Sequence, residues 1–136
     1  MPTVKVFYAW QAYRSQRCHR HLIREAARAA CERITLVHSN NFKVTLEEAP
    51  VVVPGMCDVP NSTLRKIDDC DLVLADLTFV ATTDEADRET ETAGKSSDPS
   101  VLLQLGYAAH AKGASRLVGV KNEIYGGPTD QIPDVR

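Results

Sequence analysis

The feature that most constrains this fold is the stretch Asp71–Thr78, which reads DLVLADLT. Its apolar residues follow one another almost without interruption, whereas a strand with one face in water alternates apolar and polar side chains. Such a run is typical of a parallel strand that is buried on both faces, and parallel strands are joined by crossover connections that are usually helical. The stretch therefore predicts an α/β domain with helices on both sides of a parallel sheet.

Other segments alternate between strand and helix character. Strands are predicted over Val4–Trp10, Phe42–Glu47 and Ser115–Val120, and a short strand or turn over Ile34–Asn41. Helices are predicted over Cys18–Arg33, Pro60–Asp69 and Asp98–Gly113. This order predicts a three-layer, flavodoxin-like α/β domain with a parallel sheet of about four to five strands.

The last predicted helix carries one residue that does not fit its apolar face. Asp98 can cap this helix, Pro99 suits its first position, and Gly113 can end it. Gln104 interrupts the apolar face near the end of the helix that adjoins the carboxyl ends of the strands, where ligands bind in such sheets. Two interpretations stay open: the amide points into the mouth of a site, or it is hydrogen-bonded inside the core or at its edge.

Polar and aromatic residues also follow the predicted strands, at positions where α/β sheets bind ligands. Trp10, Gln11 and Arg14 belong to the first loop, and Asp76 and Thr78 end the buried strand. Each group has a structural alternative. Trp10 can pack beneath the loop with Arg14 in solvent, and Asp76 can cap neighbouring backbone amides.

Three segments lack regular periodicity. Pro50–Pro60 contains three prolines and a glycine and is predicted as a structured loop. Phe79–Ser97 is rich in Thr, Asp, Glu, Gly and Ser and is predicted as a long mobile loop, which acts either as a lid or as an insertion without a role. Lys121–Arg136 is predicted to be irregular.

Composition excludes several classes of function. With 136 residues and a formal net charge of -2, the chain is expected to be a single domain without a basic surface for nucleic acid or membrane. It has no N-terminal signal pattern, and no stretch approaches the roughly 20 apolar residues of a membrane span. Its four cysteines are widely spaced, with no histidine at ligand spacing, so we expect free thiols, a cytoplasmic location and no metal site.

Five segments carry a resemblance to a known family: VFYAWQ, VVVPGMCDVPNSTLRKI, DCDLVLADLTFV, PSVLLQLGYAAHAKG and NEIYGGPTDQIPDVR. In this order and spacing they resemble the bacterial TIR-like (Toll/interleukin-1 receptor-like) domains of antiviral defence proteins. The segments that carry Asp76 and Gln104 are also similar to nucleoside deoxyribosyltransferases. The resemblance implies one TIR-like domain over residues 1–136. Because relatives continue beyond the segment that ends here at Arg136, we expect a domain excised from a longer protein with a C-terminal sensor.

The activity that this resemblance implies is NAD+ hydrolysis, in which nicotinamide leaves a ribosyl carbon that passes through an oxocarbenium-like state. NAD+ is then the substrate, and no cofactor is implied. The family's catalytic residue is a glutamate in the motif that here reads LLQLGYA, so Gln104 stands at its position. Glutamine keeps the shape and hydrogen-bonding capacity but has no charge. We therefore expect binding to survive and turnover to fall by roughly a hundred- to a thousandfold.

The resemblance also implies roles for other residues. Trp10 and Gln11 line the nucleotide cleft, Asp76 and Thr78 close it, and Tyr107 packs near the ribose. The remaining candidates for contact with substrate are Arg14, Phe79, whose ring can stack on nicotinamide or adenine, and Ser100, where the family often has asparagine.

Two explanations of Gln104 stay open: a substitution introduced to retain substrate, which the intact motif around it favours, or a natural member that binds nucleotide without cleaving it. Two other functions also remain, a non-catalytic nucleotide-binding or TIR assembly module and a deoxyribosyltransferase-like enzyme. For a TIR-like protein we expect a homo-oligomer or filament, triggered by a cyclic nucleotide or a partner domain.

Overall fold

The structure is a computed structural model that describes residues 2–12, 14–48, 61–82 and 95–123. Its strands are β1 (Thr3–Ala9), β2 (Lys43–Glu48), β3 (Leu72–Asp76), β4 (Phe79–Thr82), β5 (Lys95–Ser97) and β6 (Leu117–Val120). Its helices are α1 (Arg20–Val37), α2 (Asn61–Asp69) and α3 (Pro99–Lys112), and a short 3-10 turn covers Ala114–Arg116. Four strands form an all-parallel sheet in the order β2-β1-β3-β6, which confirms the predicted α/β class.

The pairing register assigns each strand residue to a face of this sheet. Val6 pairs with Leu46 of β2 and with Leu72 of β3, and alternate residues of each strand share a face. Val6 and its partners face α1. Phe7 and Val73 face the other way, where they are fully buried in the main core with residues of α2 and α3. Helices therefore lie on both faces, as the three-layer prediction requires.

The face that carries α1 is only partly covered. An apolar groove of about 670 Å³ runs between this helix and the strands. Ala27 and Ala30 line it from the helix, and Leu74 and Val118 line it from β3 and β6. The sheet therefore has one closely packed face and one with an open groove.

Helix α1 is longer than the sequence predicts. The expected strand or turn over Ile34–Asn41 is wrong in its first half, because α1 continues to Val37. Once a helix has formed, each added residue contributes a hydrogen bond, which outweighs the weak strand preference of a few β-branched residues. The turn begins at His38, whose carbonyl accepts hydrogen bonds from the backbone N–H groups of Asn41 and Phe42.

The prediction of a loop over Phe79–Ser97 is also wrong at both ends of the segment. Strand β4 pairs antiparallel with β5, so the two ends form a separate two-stranded sheet. The Ser97 hydroxyl donates to the Leu77 carbonyl at 2.7 Å, which fixes this sheet to the end of β3. The middle of this segment, the predicted loop Pro50–Pro60 and residues 124–136 of the predicted irregular tail lie outside the described residues.

Helix α3 begins and ends as predicted. Asp98 Oδ1 accepts a hydrogen bond from the Ser100 N–H at 2.8 Å, and Pro99 is the first helical residue. Gly113 ends the helix with a φ of 85°, a conformation that strains residues with a side chain. Among the helices in the described ranges, none is long and apolar enough to cross a membrane.

Candidate functional site

Polar residues collect where the parallel strands end. Asp76 is the last residue of β3, and Asn122 follows β6 by two positions. Thr78 connects them: its hydroxyl donates to Asp76 Oδ1 at 2.6 Å and accepts from the Asn122 N–H at 2.9 Å. The carboxyl ends of two neighbouring strands are thus joined by hydrogen bonds, at the edge where α/β sheets bind ligands.

Asp76 has one oxygen with a structural role and one without. Oδ1 accepts hydrogen bonds from both the N–H and the hydroxyl of Thr78. Oδ2 is buried and has no hydrogen-bond partner among the described residues. Leaving such an acceptor unsatisfied costs about 1–3 kcal/mol. The capping interpretation of Asp76 therefore accounts for one oxygen, and the other is an acceptor that the described residues leave unsatisfied.

Gln104 lies on the second turn of α3 and is only 2% exposed. Its Nε2 donates to the carbonyl and to the hydroxyl of Ser100, at 3.1 and 3.2 Å. Its Oε1 is buried and has no hydrogen-bond partner in the described part of the chain. The expectation that this amide faces an open mouth is therefore wrong, and the alternative, an amide hydrogen-bonded within the protein, is what the structure has.

The first loop is held in place by its own side chains. Gln11 Oε1 accepts from the Arg14 N–H at 2.7 Å, and Arg14 Nε donates to the Phe79 carbonyl at 2.9 Å. The rings of Trp10 and Phe79 are both buried. The guanidinium of Arg20, the first residue of α1, stacks on the Trp10 ring at 3.7 Å from the ring centre, so Trp10 is packed against this helix. Arg14, in contrast, is bound to the protein rather than only to solvent.

One further contact joins this loop to α3. Asp98 Oδ2 accepts from the Ala12 N–H at 3.2 Å, so the residues that follow β1 lie beside the helix that carries Ser100 and Gln104. Tyr107, in contrast, makes no hydrogen bond to the first loop or to Gln104 in the described structure. Its hydroxyl donates to the Asp68 carboxylate of α2 at 2.8 Å, and this hydrogen bond raises the pKa of Tyr107 above its ordinary value.

Sequence reasoning missed a group of charged residues on the α1 side of the same edge. Arg20 and Arg24 of α1 both approach Glu48, the last residue of β2. Tyr8 is fully buried next to them and donates its hydroxyl to the Arg20 carbonyl at 3.3 Å. Its burial, and secondarily the charges of Asp76 and Glu48, raise the pKa of Tyr8 far above its ordinary value. In the sequence, only the four-residue spacing of Arg20 and Arg24 indicates this group. Glu48 cannot be recognised as a member, because it reaches the arginines only through the pairing of β2 with β1.

A smaller cavity of about 340 Å³ opens between the start of α1 and the end of β6. It is lined by Cys18, His19, Leu22, Ile23, Val120, Lys121 and Asn122. Neither this cavity nor the apolar groove is lined by Gln104, Trp10 or Asp76. Within the described ranges, no group of at least three His, Cys, Asp or Glu residues is placed to hold a metal ion.

Comparisons with models of protein families, with curated proteins and with solved structures found no match to this chain. The function of the carboxyl edge must therefore be argued from its own chemistry. In the described part of the chain, that chemistry consists of two buried oxygen atoms that accept no hydrogen bond there, on Asp76 and Gln104, and of a group of charges around Glu48.

Proposed function

We propose that this chain is a TIR-like domain that binds NAD+ or a closely related nucleotide at the carboxyl edge of its sheet. In this proposal Gln104 stands where a catalytic glutamate cleaves the bond between nicotinamide and ribose. The protein then belongs to a cytoplasmic antiphage defence system and assembles into a homo-oligomer. With glutamine at this position, the chain binds its ligand but turns it over slowly.

The observation that carries this proposal is the arrangement of the Gln104 amide. Ser100 accepts both hydrogen bonds from Nε2, which leaves Oε1 as the end of the side chain without a partner in the described residues. A glutamate with the same conformation would hold a carboxyl oxygen at that point, which is negatively charged once the group is deprotonated. Since Gln104 is 2% exposed, a ligand reaches this oxygen only when the surrounding residues move, which is consistent with activation through assembly.

Ribose supplies the groups that such a site needs. Its hydroxyls are hydrogen-bond donors, and Asp76 Oδ2 and Gln104 Oε1 are buried acceptors that lack donors in the described ranges. A carboxylate beside the ribose also stabilises the positive charge that develops as the glycosidic bond breaks. Nicotinamide leaves as a neutral base, so no general acid is needed. Binding therefore depends on the acceptors, and the rate of cleavage depends on a negative charge at position 104.

The decisive experiment compares nicotinamide release from NAD+ by the chain as it is and by Gln104→Glu, both in dilute and in assembled protein. We expect the Gln104→Glu variant to release nicotinamide about 100 to 1000 times faster. Adding Asp76→Asn should remove most of this gain, whereas adding Asp69→Asn, at an exposed position on α2, should not. A folded Gln104→Glu variant that shows no turnover in any assembly state would contradict the proposal.

A folding control must accompany this assay, because the substituted side chain is buried. One oxygen of the new carboxyl would lie beside the Ser100 carbonyl, which now accepts a hydrogen bond from Nε2. Burial and this oxygen favour the protonated form, so the pKa of the new carboxyl should be raised. The loss in melting temperature caused by Gln104→Glu should therefore be small below about pH 4 and should grow as the pH rises.

A second candidate is a nucleotide-binding or assembly module without catalysis. It is favoured by the two hydrogen bonds from Nε2 to Ser100, since a carboxylate cannot donate to the Ser100 carbonyl and glutamine therefore suits this position. For this function we expect both forms to bind NAD+ in a calorimetric titration and neither to release nicotinamide. Base exchange on nucleosides, with no response to NAD+, would instead indicate a deoxyribosyltransferase-like enzyme.

A further inference from the structure

Arg20, Arg24 and Glu48 form a half-buried charge cluster at the start of α1. Their side chains are 17%, 23% and 23% exposed, respectively. The two arginines approach the same carboxylate oxygen, with both Arg20 Nε and Arg24 Nη1 at 3.7 Å from Glu48 Oε1. Arg24 Nε also lies 3.5 Å from Glu25 Oε1, an exposed carboxylate that Arg28 contacts as well. Three guanidinium groups thus face two carboxylates, and the excess of one positive charge is shared along this side of α1.

The contacts within this cluster are too long to be hydrogen bonds. A charge-assisted N–H···O bond measures about 2.7–2.9 Å. Arg20 Nε, Arg24 Nε and Glu48 Oε1 are all buried, and none has a hydrogen-bond partner among the described residues. The one hydrogen bond of either guanidinium in these ranges runs from Arg20 Nη1 to Gln16 Oε1, at 3.5 Å. The buried Nε donors therefore take part in ion pairs, Arg20 with Glu48 and Arg24 with Glu25, but make no hydrogen bond to the described residues.

The surroundings hold Arg20 in a defined position. Its guanidinium stacks on the Trp10 ring, and the Tyr8 hydroxyl binds its backbone carbonyl. An arginine stacked in this way keeps the edge of its guanidinium for two parallel hydrogen bonds to an anion. The first turn of α1 contains no acidic residue, so the positive end of the helix dipole adds to the potential there.

We propose that Arg20 and Arg24 bind a phosphate group, and in particular the diphosphate of a dinucleotide. The assignment to a dinucleotide rests on the proposed function. A phosphate offers several oxygens at bonding distance to both guanidinium groups, whereas the single oxygen of Glu48 stays 3.7 Å from each. The amino end of a helix that follows the first strand of an α/β sheet is also a common place for phosphate. Glu48 holds the two arginines in position, and its carboxylate competes with the phosphate for their guanidinium groups.

Calorimetric titration of the full chain with inorganic pyrophosphate, ADP-ribose and adenosine tests this site. We expect Arg24→Gln to weaken the binding of pyrophosphate and ADP-ribose at least tenfold and to leave adenosine binding unchanged. Glu48→Gln should strengthen both phosphate ligands several-fold, because it removes the competing charge. The matched control is Arg33→Gln, at an exposed position further along α1. Its affinities should stay within twofold of the parent chain.

Melting temperatures show whether each variant is folded. If Arg24→Gln alone is unstable, the double variant with Glu48→Gln removes the carboxylate that has lost one of its two arginine partners and should fold without regaining pyrophosphate binding. Equal pyrophosphate affinity in the folded Arg24→Gln and Arg33→Gln variants would overturn the site, as would an absence of pyrophosphate binding to the parent chain.

The two proposals fail separately. Nicotinamide release by Gln104→Glu with an affinity for ADP-ribose that does not depend on Arg24 would overturn the phosphate site alone. Arg24-dependent binding of pyrophosphate, without nicotinamide release by Gln104→Glu, would overturn only the proposed catalysis.

Discussion

At the scale of single residues, Tyr8 responds to the charges around it. Its hydroxyl is buried and donates to the Arg20 carbonyl, and its burial, with the charges of Asp76 and Glu48, raises its pKa above the ordinary 10.0. A group whose pKa is higher in the folded than in the unfolded state contributes stability that is fully present below the unfolded pKa. That contribution is lost as the pH rises above about 10.

We therefore expect the effect of Tyr8→Phe on stability to change sign with pH. At pH 7 the variant should be about 1 kcal/mol less stable, because it lacks one buried hydrogen bond. Above about pH 10 the parent chain should lose about 1.4 kcal/mol for each pH unit relative to the variant, so the variant becomes the more stable protein. Urea unfolding at several pH values measures the difference in stability at pH 7 and its change above pH 10. A difference that stays constant from pH 7 to pH 11 would contradict this account.

At the scale of secondary-structure elements, Asp98 joins two of them. One carboxylate oxygen caps α3 through the Ser100 N–H, and the other accepts from the Ala12 N–H in the loop after β1. We expect Asp98→Ala to lower the free energy of unfolding by about 2 kcal/mol, roughly one for the cap and one for the second hydrogen bond. Asp98→Asn should cost less, since it keeps one acceptor.

The control for Asp98 is Asp69→Ala, at an exposed position at the end of α2. Its effect in urea unfolding should stay within about 0.5 kcal/mol. If Asp98→Ala behaves like this surface change, Asp98 does not connect the two elements as argued. If Asp98→Asn costs as much as Asp98→Ala, the negative charge matters more than the number of acceptors.

At the scale of the whole molecule, the two faces of the sheet differ in packing. Ala108 of α3 is fully buried in the main core, whereas Ala30 of α1 lines the apolar groove. We expect Ala108→Leu to destabilise the protein by about 1–3 kcal/mol, because a well-packed core has no room for added methyl groups. Ala30→Leu should be neutral or stabilising by about 1 kcal/mol, because it fills open apolar space. Equal losses in urea unfolding would mean that the groove is closed in solution.

Local patterns in the sequence are enough to predict the class of the sheet and the ends of α3. The apolar run that ends at Asp76 has no polar face, and such a strand is stable only between two covering layers. Asp98, Pro99 and Gly113 act on their own backbone or on neighbours a few residues away, so their effect can be predicted without the rest of the chain. These effects are local, so they can be predicted from the sequence alone.

Which distant residues come into contact depends on how the elements pack in the folded chain. The order β2-β1-β3-β6 places Glu48 beside Tyr8, and thereby next to Arg20, although Glu48 lies far along the chain from both. The pairing of β4 with β5 and the burial of Gln104 are decided in the same way, by contacts between segments rather than within them. Periodicity records how apolar a face is but not what covers it, so the sequence could not predict the open groove and could not choose between the two interpretations of Gln104.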